Sequence, residues 1–122
     1  MKVLLVDDEK SMLLVLKKML SKIPEVDITG SFQSTGEAFG FLKENGADLV
    51  FVDINMPGMN GFDFVTKYEE LYRTYSTQTK VIMLTNSVLA NEKKMAAEHE
   101  SISDLWNKPL TTEKLTALMN QV

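Results

Sequence analysis

Cysteine is absent from this chain of 122 residues, arginine occurs only at Arg73, and His99 and Trp106 are the sole members of their kinds. Without thiols, neither a disulfide framework nor a thiolate zinc site can form, a composition that suits a reducing compartment. One arginine in a chain of net charge -4 lacks both the basic footprint and the bidentate base readers of a nucleic-acid binder. Direct contact with DNA or RNA is therefore not expected. Export and membrane signals are missing as well. Met1-Lys2 leads at once into a short apolar stretch, far from the roughly 20 apolar residues that cross a bilayer. The expectation is a cytoplasmic protein with no membrane contact. No internal repeat or low-complexity tract interrupts it.

What the chain does hold is a repeated arrangement. Val3-Leu4-Leu5-Val6 stops at Asp7-Asp8, Leu49-Val50-Phe51-Val52 at Asp53, and Val81-Ile82-Met83-Leu84 at Thr85. Short continuous apolar runs bounded by turn residues read as strands buried on both faces. Such strands belong to parallel sheets covered by helices, where ligands collect beyond the carboxyl ends. A weaker fourth run, Leu105-Trp106-Asn107, leads into Lys108-Pro109. One crevice should then gather three acids, a hydroxyl and an amine. At 44% hydrophobic content the chain suffices for one domain, 1–122, burying roughly two thirds of its unfolded surface.

Between the strands the apolar residues recur at helical spacing. Met12, Leu13, Leu16, Met19 and Leu20 define a first helix, with Ser11 as its expected cap and an end near Ile23-Pro24. Val26 to Phe32 alternates loosely as a second strand. Ser34-Thr35-Gly36-Glu37 has the form of a capping box and opens a helix that buries Ala38, Phe41 and Leu42 and stops at Asn45-Gly46. After the loop Asn55 to Gly61, Phe62, Val65, Tyr68, Leu71 and Tyr72 mark a third helix, followed by a polar loop over 74–79. Helices over 89–98 and 112–120 complete five alternations of strand and helix. That order fits an α/β fold, and right-handed crossovers make it a doubly wound parallel sheet.

Carboxylates at Asp7, Asp8 and Asp53 repel in a confined site, and raised pKa values or a bound divalent cation relieve that repulsion. The all-oxygen set favours the cation, and Mg²⁺ is commonly held by one or two carboxylates with waters and phosphate oxygens. A phosphoryl partner follows from the remaining groups. Lys108 offers a point charge, Thr85 a short hydroxyl donor, and Asp53 a nucleophile able to form an acyl phosphate.

Val6-Asp7-Asp8-Glu9, Asp53-Ile54-Asn55-Met56-Pro57-Gly58-Met59-Asn60-Gly61, Thr85 and Lys108-Pro109, in this order and spacing, resemble the receiver domains of two-component response regulators. The likeness covers the whole chain and is greatest to the stand-alone chemotaxis type. It implies a flavodoxin-like five-stranded sheet in the order 2-1-3-4-5 with five helices. It implies that Asp53 accepts a phosphoryl group from a histidine kinase or histidine phosphotransfer protein. Asp8, Asp53 and the backbone carbonyl of Asn55 would bind Mg²⁺, with Asp7 acting mostly through a metal-bound water. Lys108 would hold a phosphoryl oxygen. Thr85 would swing towards the phosphate and alter the face of the fourth helix, fifth strand and fifth helix for a downstream effector protein. The domain would be a monomer or a phosphorylation-dependent dimer. It would be a signalling module that catalyses only its own phosphorylation and dephosphorylation.

The sequence also departs from that pattern. Leu105 stands where a switch tyrosine or phenylalanine is usual, Asn86 follows Thr85 where a small residue is usual, and 98–103 replaces a glycine-bearing turn. Bland readings stand beside the functional ones: Asp7 as a turn former, Thr85 as a strand residue, and Pro57, Gly58 and Gly61 as shapers of a loop. His99 reads as a solvated residue without a role, and Met12, Met19 and Met83 as packing, with Met56 and Met59 exposed. Trp106 has two positions open to it, beneath the sheet edge or on the signalling face. Two other classes compete for the function. A pseudo-receiver would bind partners without phosphorylation. An aspartyl phosphatase of the haloacid dehalogenase type requires Asp-x-Asp, which Asp53-Ile54-Asn55 lacks.

Overall fold

A computed structural model of the protein describes residues 1–72, 79–86, 88–108 and 110–121. Arg73, the expected polar loop as far as residue 78, the side chains of Leu71 and Tyr72, and Pro109 lie outside the described residues. Strands β1 (Lys2–Val6), β2 (Asp27–Phe32), β3 (Leu49–Asp53), β4 (Lys80–Thr85) and β5 (Ile102–Asn107) alternate with helices α1 (Lys10–Leu20), α2 (Thr35–Asn45), α3 (Gly61–Tyr72), α4 (Ala90–Ala97) and α5 (Thr112–Gln121). All strand pairs are parallel and the sheet order is β2-β1-β3-β4-β5, the doubly wound arrangement expected. Among the described residues, no helix is long and apolar enough to cross a membrane.

The pleat sends successive side chains to opposite faces, so each apolar run feeds two cores. Val3, Leu5, Leu49, Phe51, Ile82 and Leu84 pack with Leu13, Leu16 and Leu20 of α1 and Leu115 and Leu118 of α5. Leu4, Val6, Val50, Val52, Val81 and Met83 pack on the other side with Ala38 and Leu42 of α2, Phe64 and Val65 of α3, and Ala96 of α4. The three inner strands are therefore buried on both faces, whereas β2 and β5, at the sheet edges, are half-exposed. Trp106 is buried: its ring lies 6.0 Å from Phe51 and its Nε1 donates to Asp104 Oδ2 at 2.8 Å.

Local chemistry fixes where the helices begin. Ser34 caps α2 by accepting from the Glu37 amide at 3.4 Å, and Gly46, at φ 69°, ends that helix with its N–H on Leu42 O. Ser11 does not cap α1. The helix starts two residues earlier, at Lys10 behind Glu9, because Met12 and Leu13 already donate to Glu9 O, and Ser11 sits inside it. Met56 is buried against the α2–α3 core and Met59 is half-buried there, contrary to the exposure expected for both.

The connection from β3 to α3 is bent tightly under the end of β3. Gly61 N–H donates to Ile54 O at 3.0 Å, and the Thr35 hydroxyl donates to Met59 O at 2.6 Å. A Cβ at Gly61 would stand 2.6 Å from the Asp53 carbonyl oxygen and 3.0 Å from Ile54 Cα, so only glycine permits this approach. Gly61→Ala should therefore lower stability by about 1–3 kcal/mol, the usual cost of overpacking. The expected readout is a lower urea midpoint at unchanged m, and a wild-type midpoint would refute the close approach.

Candidate functional site

Asp7, Asp8 and Glu9 follow β1, Asp53 closes β3, Thr85 closes β4 and Lys108 follows β5, so register alone carries them to one rim. Backbone bonds hold the rim: Ile54 N–H donates to Leu84 O at 2.9 Å and Lys108 N–H to Thr85 O at 2.8 Å. Carboxylate oxygens of Asp7, Asp8, Glu9 and Asp53 all lie within 4.8 Å of one another. Asp7 and Asp53 are buried at the floor, while Asp8 and Glu9 face solvent.

Lys108 reaches into this group with a nearly buried side chain. Its Nζ is 2.8 Å from Asp7 Oδ2, 3.2 Å from Asp53 Oδ2 and 3.7 Å from Glu9 Oε1. The other Asp7 oxygen accepts from the Glu9 amide at 2.9 Å, and Asp53 Oδ1 accepts from the Asn55 amide at 3.3 Å. Although Lys108 Nζ and Asp7 Oδ2 are so close, neither has a hydrogen-bond partner among the described residues. We read the contact as an ion pair out of hydrogen-bond alignment, which leaves both groups with unused capacity.

One ammonium therefore faces four carboxylates. Burial, then the charge of Asp7, raises the Asp53 carboxyl from 3.8 to about 6, with Lys108 and the Asn55 amide only partly opposing. Burial pushes Lys108 down, but the close contact with the Asp7 carboxylate and the charges of Asp53 and Asp7 outweigh it and hold the amine above its usual value. The excess negative charge and the all-oxygen donor set fit a hard divalent cation with solvent access through Asp8 and Glu9.

Asp7, Asp8, Asp53, Thr85 and Lys108 meet at the rim, and Asn55 touches Asp53 through its backbone amide. Glu9 was not singled out as a member of the acidic set, although its place next to Asp7-Asp8 was the available signal. Glu92 was missed as well. It is 8% exposed on the first turn of α4 and its Oε1 accepts from the Thr85 hydroxyl at 3.4 Å and the Leu89 amide at 3.1 Å. His99 is not merely solvated. Its Nδ1 pairs with Glu69 Oε1 and its ring stacks on Phe62, while Glu69 Oε2 accepts from Ser101 N–H at 3.2 Å and Ser101 Oγ at 2.9 Å. Burial pushes the Glu69 carboxyl up, but these bonds more than offset it and hold it below its usual range.

A flavodoxin-like sheet that collects acids and one lysine beyond its carboxyl edge defines the class of the molecule. The family model of the response regulator receiver domain matches residues 3–120, and the chain belongs to that family. It is 31% identical over 112 residues to a protein-glutamate methylesterase/protein-glutamine glutaminase of Rhizobium johnstonii, covering 92% of this chain and 31% of that protein. A protein of the same description from Caulobacter vibrioides is 37% identical over 70 residues, 57% of this chain and 20% of its own length. The chain thus spans about a third of the first of these relatives and a fifth of the second. Among solved structures, the chemotaxis protein CheY4 of Vibrio cholerae superposes with a TM-score of 0.81 at 26% identity, covering 99% of this chain and 97% of that one.

The raised carboxyl of Asp53 has a measurable consequence. The folded state keeps the Asp53 proton up to about pH 6, whereas the unfolded state releases it near 3.8, so ionisation costs stability across that window and fully above it. In metal-free buffer at pH 7, Asp53→Asn should be more stable than wild type by up to about 3 kcal/mol, from roughly 1.4 kcal/mol per pKa unit. The advantage should vanish near pH 4. Urea midpoints of both proteins at the two pH values check this, and equal midpoints at pH 7 would remove the burial argument.

Proposed function

We propose that residues 1–122 act as a single phosphoacceptor receiver domain in which Asp53 takes a phosphoryl group from a phosphohistidine donor. The carrying observation is Lys108 Nζ at 3.2 Å from Asp53 Oδ2 within a ring of acids. An ionised Asp53 oxygen attacks phosphorus, the O–P bond forms as the donor N–P bond breaks, and the freed imidazole keeps the nitrogen electron pair. Lys108 follows the charge from the carboxylate to a phosphoryl oxygen, and the Thr85 hydroxyl donates to another. Asp8, Asp53, Glu9 and the Asn55 carbonyl would hold Mg²⁺, with Asp7 behind a water. When bound, the ion neutralises charge on the transferring group.

The product is an acyl phosphate that persists long enough to signal, because Asn55 stands where a phosphatase of this chemistry carries its second acid. Histidine kinases or histidine phosphotransfer proteins are the donors, and an effector protein reads the result on α4, β5 and α5. The family assignment and the acid-lysine cluster support this reading over a phosphorylation-independent adaptor. Methylesterase activity is not transferred from the relatives, since the chain matches only a minor part of their length.

Incubation with Mg²⁺ and acetyl phosphate, followed by intact mass measurement, decides between the classes. Wild type should gain one phosphoryl group and Asp53→Asn none. An unchanged wild-type mass in a folded protein indicates the adaptor, and sustained turnover of a phosphoester indicates the phosphatase.

A further inference from the structure

The connection between β4 and α4 is strung between two side-chain acceptors. Val88 N–H donates to Asn107 Oδ1 at 2.9 Å, and Leu89 N–H donates to Glu92 Oε1 at 3.1 Å. The second contact is the reach of a third-position glutamate back to the N-cap amide, and a negative charge there suits the helix dipole. Leu89 offers no side-chain acceptor in return, so the box is half formed. Capping alone leaves the burial of Glu92 unexplained, because acids are seldom buried unless paired. The same Oε1 also receives the hydroxyl of Thr85, itself 1% exposed, at 3.4 Å.

A threonine hydroxyl has one hydrogen to give. While that hydrogen points at Glu92, it is withheld from an acceptor at Asp53. Resting on the phosphoacceptor reading, we propose that Glu92 is the positioning residue for Thr85, a resting acceptor that competes with the phosphoryl oxygens for the same hydrogen. At 3.4 Å the contact is long for an O–H···O bond, so a multiply charged acceptor can displace it. Glu92 sits on α4 itself, so release of the hydroxyl uncouples the end of β4 from the first turn of that helix. The balance between the two acceptors sets how readily the domain enters its active form.

The test uses the whole chain and beryllofluoride, a phosphoryl mimic, with Mg²⁺ in titration calorimetry. Glu92→Gln keeps an oxygen for the Leu89 amide but removes the charge that strengthens the hold on Thr85. It should bind the mimic about fivefold more tightly than wild type, on the order of 1 kcal/mol. Glu92→Asp, whose shorter carboxylate retreats from Thr85 while keeping the helix-end charge, should shift affinity in the same direction and covers a misfolded Gln variant. In a Thr85→Ala background, Glu92→Gln should change affinity no further. Equal affinity of the Glu92 variants and wild type overturns the proposal. So does an undiminished gain in the Thr85→Ala background, which would assign the effect to the helix cap. A wild type that neither binds beryllofluoride nor gains mass from acetyl phosphate sinks the phosphoacceptor reading and this proposal together. A wild type that does both, with indifferent Glu92 variants, sinks this proposal alone.

Discussion

Lys108 is one buried cation set among more negative charge than it can neutralise, and the functional end of the molecule is organised around that imbalance. Its amine leans towards Asp7 at 2.8 Å and more weakly towards Asp53 at 3.2 Å. Asp7 is thereby held in place, and Asp53 remains under-compensated with its carboxyl pushed up to about 6. A carboxylate satisfied on all sides would be inert; one left partly uncompensated gains from any incoming positive charge. The fold supplies this tension at little cost in geometry, since all the participating groups lie at or just beyond the carboxyl ends of parallel strands.

The two cores give the rim its rigidity. Each inner strand contributes side chains to both faces, so β1, β3 and β4 are clamped between α1 and α5 on one side and α2, α3 and α4 on the other. Dense packing on both faces leaves the strand ends little room to drift. The turns after β1, β3 and β4 sit outside that clamp, held by backbone and side-chain bonds together.

Legibility in the sequence followed the same division. The inner strands were read as continuous apolar runs because burial on both faces writes every position in one alphabet. Of the edge strands, β2 matches the expected Val26 to Phe32 to within one residue, whereas β5 carries a weaker pattern for the converse reason. β5 was seen only from Leu105, yet it begins at Ile102 and carries an irregularity where Ile102 pairs with Val81 and Asp104 with Ile82. The rim residues that end strands were legible from position alone. Glu92 was not: its contact with the Leu89 amide is a local helix-cap contact, but Thr85 becomes its neighbour only in the folded chain. His99 was misread because its partner Glu69 is 30 residues away, beyond any local pattern.

That pairing of Glu69 with His99 and Ser101 fastens the far end of α4 and the turn behind it to α3. Three contacts secure the carboxyl end, while at the amino end Val88 donates to Asn107 and Glu92 of the helix itself receives the Thr85 hydroxyl. The two ends of α4 are thus tied to different parts of the fold, the carboxyl end to α3 and the amino end to the last residues of β4 and β5.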